Sequence, residues 1–314
     1  MASGMASRIA SPISSCTKTP KPMESSILTE VFLPLALAVI MLGMGLSLKI
    51  DDFRRITVYP KPVLIGLVNQ LIILPLVAFG LVVLFGIQAE LAVGFMILAA
   101  CPGGATSNLI TLLSKGDTAL SITLTAIASL VTVITIPFIV NFAIVQFMPT
   151  GEAQQLNVLG TIISVVLITV IPVSIGMVIH SRAPHFSRRM DRPVRILSAV
   201  FLALIILAAV LKERANIGTF FAQAGPVALA LNVITLAIGY YVARWFKLPT
   251  RQQRTISIES GIQNGTLGIT IAATLIGNSA MTIPSAIYSL IMFGTAIVLI
   301  YWGNRGTVGA PSRV

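Results

Sequence analysis

From Thr118 to Gln146 the chain carries no charged side chain. Such a run constrains the fold more than any motif does, and it recurs. Several apolar stretches approach the ~20 residues needed to cross ~30 Å of hydrocarbon. Of the 314 residues, 56% are hydrophobic and only 10% are charged, and the mean hydropathy is +0.95. Soluble domains carry about 25% charged residues, and a soluble fold would have to hide most of this chain inside itself. The expected fold class is therefore an all-α membrane protein. Nine crossings are predicted, at about 27–48, 63–85, 91–114, 118–146, 158–180, 196–212, 225–246, 254–277 and 283–303.

A net charge of +11 would suggest nucleic acid in a soluble protein. Here the basic residues sit between the apolar runs, where topology explains them, and no nucleic-acid partner is expected. Lys49, Arg54, Arg55 and Lys61 follow the first span, Lys115 the third, and Arg182, Arg188, Arg189, Arg192 and Arg195 the fifth. Arg244, Lys247, Arg251 and Arg254 follow the seventh, and Arg305 and Arg313 the ninth. The positive-inside rule puts these loops in the cytoplasm, the N-terminus outside and the C-terminal tail, 304–314, inside. A bacterial inner membrane is the first assignment and an organelle envelope the second. Residues 1–26 are Ser/Thr-rich and acidic only at Glu24. They read as a disordered tail or leader, with an organelle transit peptide as the sharper alternative.

Composition also excludes several chemistries. Cys16 and Cys101 fall in a polar tail and an apolar run, so neither a disulfide nor a thiolate metal site is expected. His180 and His185 lie at or beyond a helix end. There is no zinc-protease signature, no phosphate-binding loop and no soluble region that could hold a nucleotide domain.

Two spans carry breaks. The third contains Cys101-Pro102-Gly103-Gly104-Ala105-Thr106-Ser107-Asn108. Proline removes a backbone donor and glycine costs the most entropy to hold in a helix. The eighth contains Glu259-Ser260-Gly261-Ile262-Gln263-Asn264-Gly265-Thr266. Backbone freed at membrane depth is tolerated only where it lines a cavity or binds something. Each broken span follows one with a mid-span asparagine, Asn69 or Asn232, and the two halves enter the membrane in opposite senses. Paired interruptions of this kind are the best sequence pointer to a transporter site. The plainer alternative is that the glycines and prolines only pack helices.

Near the breaks stand Gln70, Thr106, Ser107, Asn108, Ser121, Thr125, Glu259, Ser260, Gln263 and Asn264, one carboxylate among neutral oxygens. A charge at bilayer depth costs ~2.5–3.5 kcal/mol on insertion scales and marks a functional site by default. Hard oxygen ligands with little net charge suit sodium better than a transition metal. Ser121 and Thr125 are four apart and share a helix face, although they could instead bond back to their own helix. A protonated Glu259 would make proton coupling the rival mechanism. The half-helices starting near Ser107 and Thr266 aim their amides at the midplane, where an organic carboxylate or sulfonate could bind without arginine.

Cys-Pro-Gly-Gly-x-x-Ser-Asn at 101–108 and Glu-x-Gly-x-Gln-Asn at 259–264 resemble the two crossover motifs of the bile acid:sodium symporter family. Met-x-Gly-Met-Gly-Leu-x-Leu at 41–48, followed by Asp51-Asp52-Phe53, resembles its early segment. The likeness runs from about 30 to 303. It implies two inverted repeats in one transmembrane domain, 27–303, with two discontinuous helices crossing near the substrate. Panel helices would be about 27–48 and 158–212, and core helices about 63–146 and 225–303. The resemblance implies a first sodium site from Ser107, Asn108, Ser121, Thr125 and Glu259. A second would use Gln70, Glu259 and Gln263 with the carbonyls of Ser260 and Ile262. Ala105, Thr106 and Asn264 would face the substrate. The chain departs from some relatives at Ala105, where they have Thr, and at Ile291, Met292 and Phe293, where they have a His-Asn pair. Bile acid or a smaller carboxylate both remain open.

The resulting expectation is sodium-coupled symport of an organic anion by alternating access, with two Na+ coupling ions. Its partners would be the anion, sodium and the lipid bilayer, with no obligatory protein partner. The alternatives are proton-coupled anion transport and arsenite-type export through Cys101. An enzyme would need a base beside a nucleophile, and a channel more ligands along its path.

Overall fold

A computed structural model describes residues 31–87, 89–149, 157–212 and 217–305. The expected tail 1–26 and most of 304–314 lie outside these residues. All regular structure among the described residues is helical. In order these helices are α1 (Leu33–Gly45), α2 (Ile50–Val58), α3 (Pro60–Leu84), α4 (Ala89–Ala100), α5 (Ala105–Leu113) and α6 (Thr118–Phe147). Then come α7 (Val158–Arg182), α8 (Pro184–Lys212), α9 (Ile217–Trp245) and α10 (Thr250–Gly261). Helix α11 (Gly265–Thr270) continues into a π-helical turn, Ile271–Ile276, and α12 (Ile283–Arg305) closes the described chain.

Five helices are long and apolar enough to cross a membrane, or up to seven if each bent pair is one span. The sequence expectation of nine exceeds that number. Part of the reason is length: the second broken span is divided between α10, of 12 residues, and α11, of 6 residues. Residues 184–195, expected as a basic loop, are the first turns of α8. The stretch after the first span is also helical: α2 bends 63° from α1 and buries no residue. Its start is fixed by Asp52, whose carboxylate accepts from the Lys49 amide at 2.7 Å.

Long apolar side chains such as Leu76, Ile134, Phe138, Leu159 and Ile297 point outward, as lipid requires. Helix α1 packs along α7 and α8, while α9 packs along α10 and α12, and α4 along α6. At Gly45 and Gly176 the α1 and α7 backbones nearly touch. A Cβ on Gly176 would lie 2.5 Å from the Leu42 carbonyl oxygen, and one on Gly45 would collide with the Val173 carbonyl. Small residues permit such approach between membrane helices.

Proline shapes the helix interiors. Pro75 and Pro172 each follow a π-helical turn, Asn69–Ile73 and Val166–Val170. A proline cannot donate to the carbonyl four residues back. The ladder shifts instead, so that Leu74 donates to Asn69 and Ile171 to Val166, five residues back. The first of these turns carries Gln70 into the buried interior.

Candidate functional site

Both expected breaks are present. Helices α4 and α5 meet at 64° across Cys101–Gly104, and α10 stops at Gly261 with Ile262–Asn264 non-helical before α11. The half-helices begin at Ala105 and Gly265, close to the expected positions. Their breaks touch through main chain: the Asn264 amide donates to the Pro102 carbonyl at 3.0 Å. The Asn264 side chain then caps α11, accepting from the Leu267 amide at 3.0 Å.

Glu259 reaches this junction from the last turn of α10 and is 1% exposed. Ser121 donates to one of its carboxylate oxygens at 2.5 Å and Thr125 to the other at 2.9 Å. The shared face of α6 is thus turned to the acid; neither hydroxyl bonds back to its own helix. The Asn108 Oδ1 lies 2.8 Å from Ser121 Oγ and 3.4 Å from Thr125 Oγ1. Ser107 lies 3.4 Å from the same threonine and donates to the Gly104 carbonyl at 2.8 Å. All five residues expected at a first cation site, Ser107, Asn108, Ser121, Thr125 and Glu259, are therefore in one cluster contributed by α5, α6 and α10.

Gly103 borders the cluster. A Cβ there would stand 2.8 Å from Glu259 Oε2, 3.2 Å from Ser107 Oγ and 3.3 Å from Gln70 Nε2. Glycine leaves that space open, and it places Gln70 beside the acid. Both polar atoms of the Gln70 amide are buried without a partner, as is Gln263 Oε1. Unpaired buried polar atoms cost ~1–3 kcal/mol each, so oxygens left this way fit a cation that would complete them. Gln263 Nε2 donates to the Ser260 carbonyl at 3.0 Å, and the Ser260 hydroxyl bonds back to Ile256 at 2.8 Å. Ile262 is extended and its side chain is fully buried.

The residues expected to face a substrate are less gathered. Ala105 and Thr106 are half-buried at the start of α5, and Asn264 is occupied as a cap. A cavity of about 140 Å³ lies elsewhere, lined by Met44, Phe53, Ser129, Thr169, Val173 and Met177 among others. It lies among α1, α2, α6 and α7, with Ser129 one turn along α6 from Thr125. Cys101 is buried beside Gly268. Among the described residues no three His, Cys, Asp or Glu side chains group as metal ligands.

One contributor escaped the motif reading. Tyr288 on α12 is fully buried and donates to the Gly261 carbonyl at 2.7 Å, and Asn232 on α9 donates to the same oxygen at 2.8 Å. The only sequence signal was a tyrosine in an apolar span, since a buried phenol usually finds a partner.

A multi-pass helical membrane protein in which two interrupted helices join around one buried carboxylate is built as a transporter, not as an enzyme. The family model described as the sodium bile acid symporter family matches residues 34–220, and the chain belongs to that family. It is 31% identical to a probable sodium/metabolite cotransporter, BASS2, chloroplastic, of Oryza sativa subsp. japonica, over 91% of this chain and 67% of that protein. It is also 31% identical to the uncharacterized sodium-dependent transporter YocS of Bacillus subtilis (strain 168), over 87% and 84% respectively. To the probable cotransporter BASS1, chloroplastic, of Arabidopsis thaliana, identity is 26% over 86% of this chain and 66% of that protein.

Proposed function

We propose that the chain is a sodium-coupled symporter for a small organic anion, with two sodium ions held around Glu259. One observation carries the reading: oxygens from α5, α6 and α10 converge on a buried carboxylate where two broken helices are joined through main chain. The first ion would be held by Ser107, Asn108, Ser121, Thr125 and Glu259. The second would be held by Gln70, Gln263 and Glu259 with the Ser260 and Ile262 carbonyls. The orphaned Gln70 and Gln263 oxygens support this second set. The anion would sit by Ala105, Thr106 and Asn264 at the half-helix N-termini, whose amides favour negative charge. Its identity, bile acid or smaller carboxylate, is left to experiment.

In this reading nine spans form two inverted repeats, with α1, α7 and α8 as panel and the remaining spans as core. The packing of α1 on α7 and α8 supports the division. The cavity between α1, α2, α7 and α6 lies where these two groups would move apart in alternating access. Two sodium ions entering with one monovalent anion carry one net charge. Membrane potential then contributes ~2.3 kcal/mol per 100 mV, or concentration by roughly fifty-fold.

Purified protein melted with a panel of organic anions, in sodium or in choline, tests the proposal. Sodium raises the melting temperature of the wild type, and an anion raises it further only when sodium is present. Glu259→Ala abolishes both responses while the protein still melts cooperatively. Stabilisation by an anion in choline, or a sodium response that survives Glu259→Ala, would refute the coupling.

A further inference from the structure

Helix α10 ends among buried residues, so its last carbonyls have no intrahelical donor and no water to replace one. Glycine in a left-handed cap is the common remedy, yet here Ile262 follows with φ −104° and ψ 105°, extended. The Gly261 carbonyl is satisfied by side chains: the Tyr288 hydroxyl at 2.7 Å and the Asn232 amide at 2.8 Å. These two donors also touch each other, at 3.2 Å. Neither is exposed, and Leu236 fills the space a Cβ on Gly261 would take, so α9 seats the helix end closely.

In extended backbone, successive carbonyls point to opposite sides. Drawing the Gly261 oxygen toward α9 and α12 therefore turns the Ile262 oxygen the other way. We infer that Asn232 and Tyr288 are positioning residues: they pin Gly261 so that the flanking Ser260 and Ile262 carbonyls are held at the geometry sodium requires. The inference rests on the sodium reading above. Neither residue belongs to the proposed ion shell. Each acts through a carbonyl that is not itself a ligand, so the effect is on ion affinity and ion selectivity.

The probe is sodium itself, titrated against the melting temperature of the purified full chain with choline keeping ionic strength constant, and then lithium in its place. Tyr288→Phe removes one hydroxyl and keeps the ring. Its sodium midpoint rises by roughly three- to tenfold, the worth of one net hydrogen bond. Its ratio of sodium to lithium midpoints changes as well, while its melting temperature in choline stays near that of the wild type. Asn232→Ala gives the same pair of shifts and serves if Tyr288→Phe does not fold. A variant that melts lower at every sodium concentration, with midpoint and ion ratio unmoved, shows a purely structural clamp and overturns the inference alone. A wild type without any sodium response overturns the clamp together with the sodium reading.

Discussion

Glu259, Ser121, Thr125, Asn108 and Ser107 hold one another through hydrogen bonds of 2.5–3.4 Å, and Gly103 keeps the adjacent space free. Adding one methyl group there crowds the site without removing any of its oxygens. Gly103→Ala places carbon 2.8 Å from Glu259 Oε2, in a space only flexible side-chain ends can vacate. The expected result is a sodium midpoint raised at least about tenfold, equivalent to ~1.4 kcal/mol, with the melting temperature in choline little changed. Equal midpoints would remove Gly103 from the site's boundary. The polar cluster around Glu259 was legible in sequence because its parts are local: a four-residue repeat of hydroxyls on α6 and two short motifs at the breaks. Tyr288 was not, because 27 residues and a change of helix separate it from the carbonyl it holds. No periodicity reports which buried phenol meets which helix end.

At the scale of elements, helix interruption was readable from proline and glycine, and helix start positions less so. Helix α8 begins at Pro184, well before the apolar stretch at 196, because a charged sequence remains helical where it leaves the apolar layer. Apolarity marks what lipid covers, whereas helicity runs on beyond it, in α8 through the interior Pro193. The π-helical turns were invisible as such; two of them precede Pro75 and Pro172, while Ile271–Ile276 has no proline after it. Contact between α1 and α7 depends on two glycines, and its energy can be tested directly. Gly176→Val drives side-chain carbons into the Leu42 carbonyl and the Gly45 backbone. The expected loss is about 1–3 kcal/mol from overpacking, read as a lower melting temperature in both sodium and choline. A neutral effect would mean that α1 and α7 separate freely.

For the molecule as a whole, the expected orientation rests on charge. We propose that the basic residues ending α7 and in the first turns of α8 lie inside, as the positive-inside rule expects, which would put the end of α6 outside. Pro149 and Ser181 are exposed at these two ends. In a chain with Cys16→Ser and Cys101→Ser, Pro149→Cys reacts with a membrane-impermeant maleimide on intact cells. Ser181→Cys reacts only after permeabilisation, and the reverse pattern would invert the topology. Among the described residues five to seven helices satisfy length and apolarity alone, while the shorter, more polar α10 packs along α9.

The link between the Asn264 amide and the Pro102 carbonyl has a consequence for variation. Both groups are main chain, so no side-chain substitution erases the link short of proline at 264. Mutation can therefore exchange the oxygens and apolar walls nearby without dismantling the crossing. A lineage built on this junction inherits its geometry and is free to diversify its cargo.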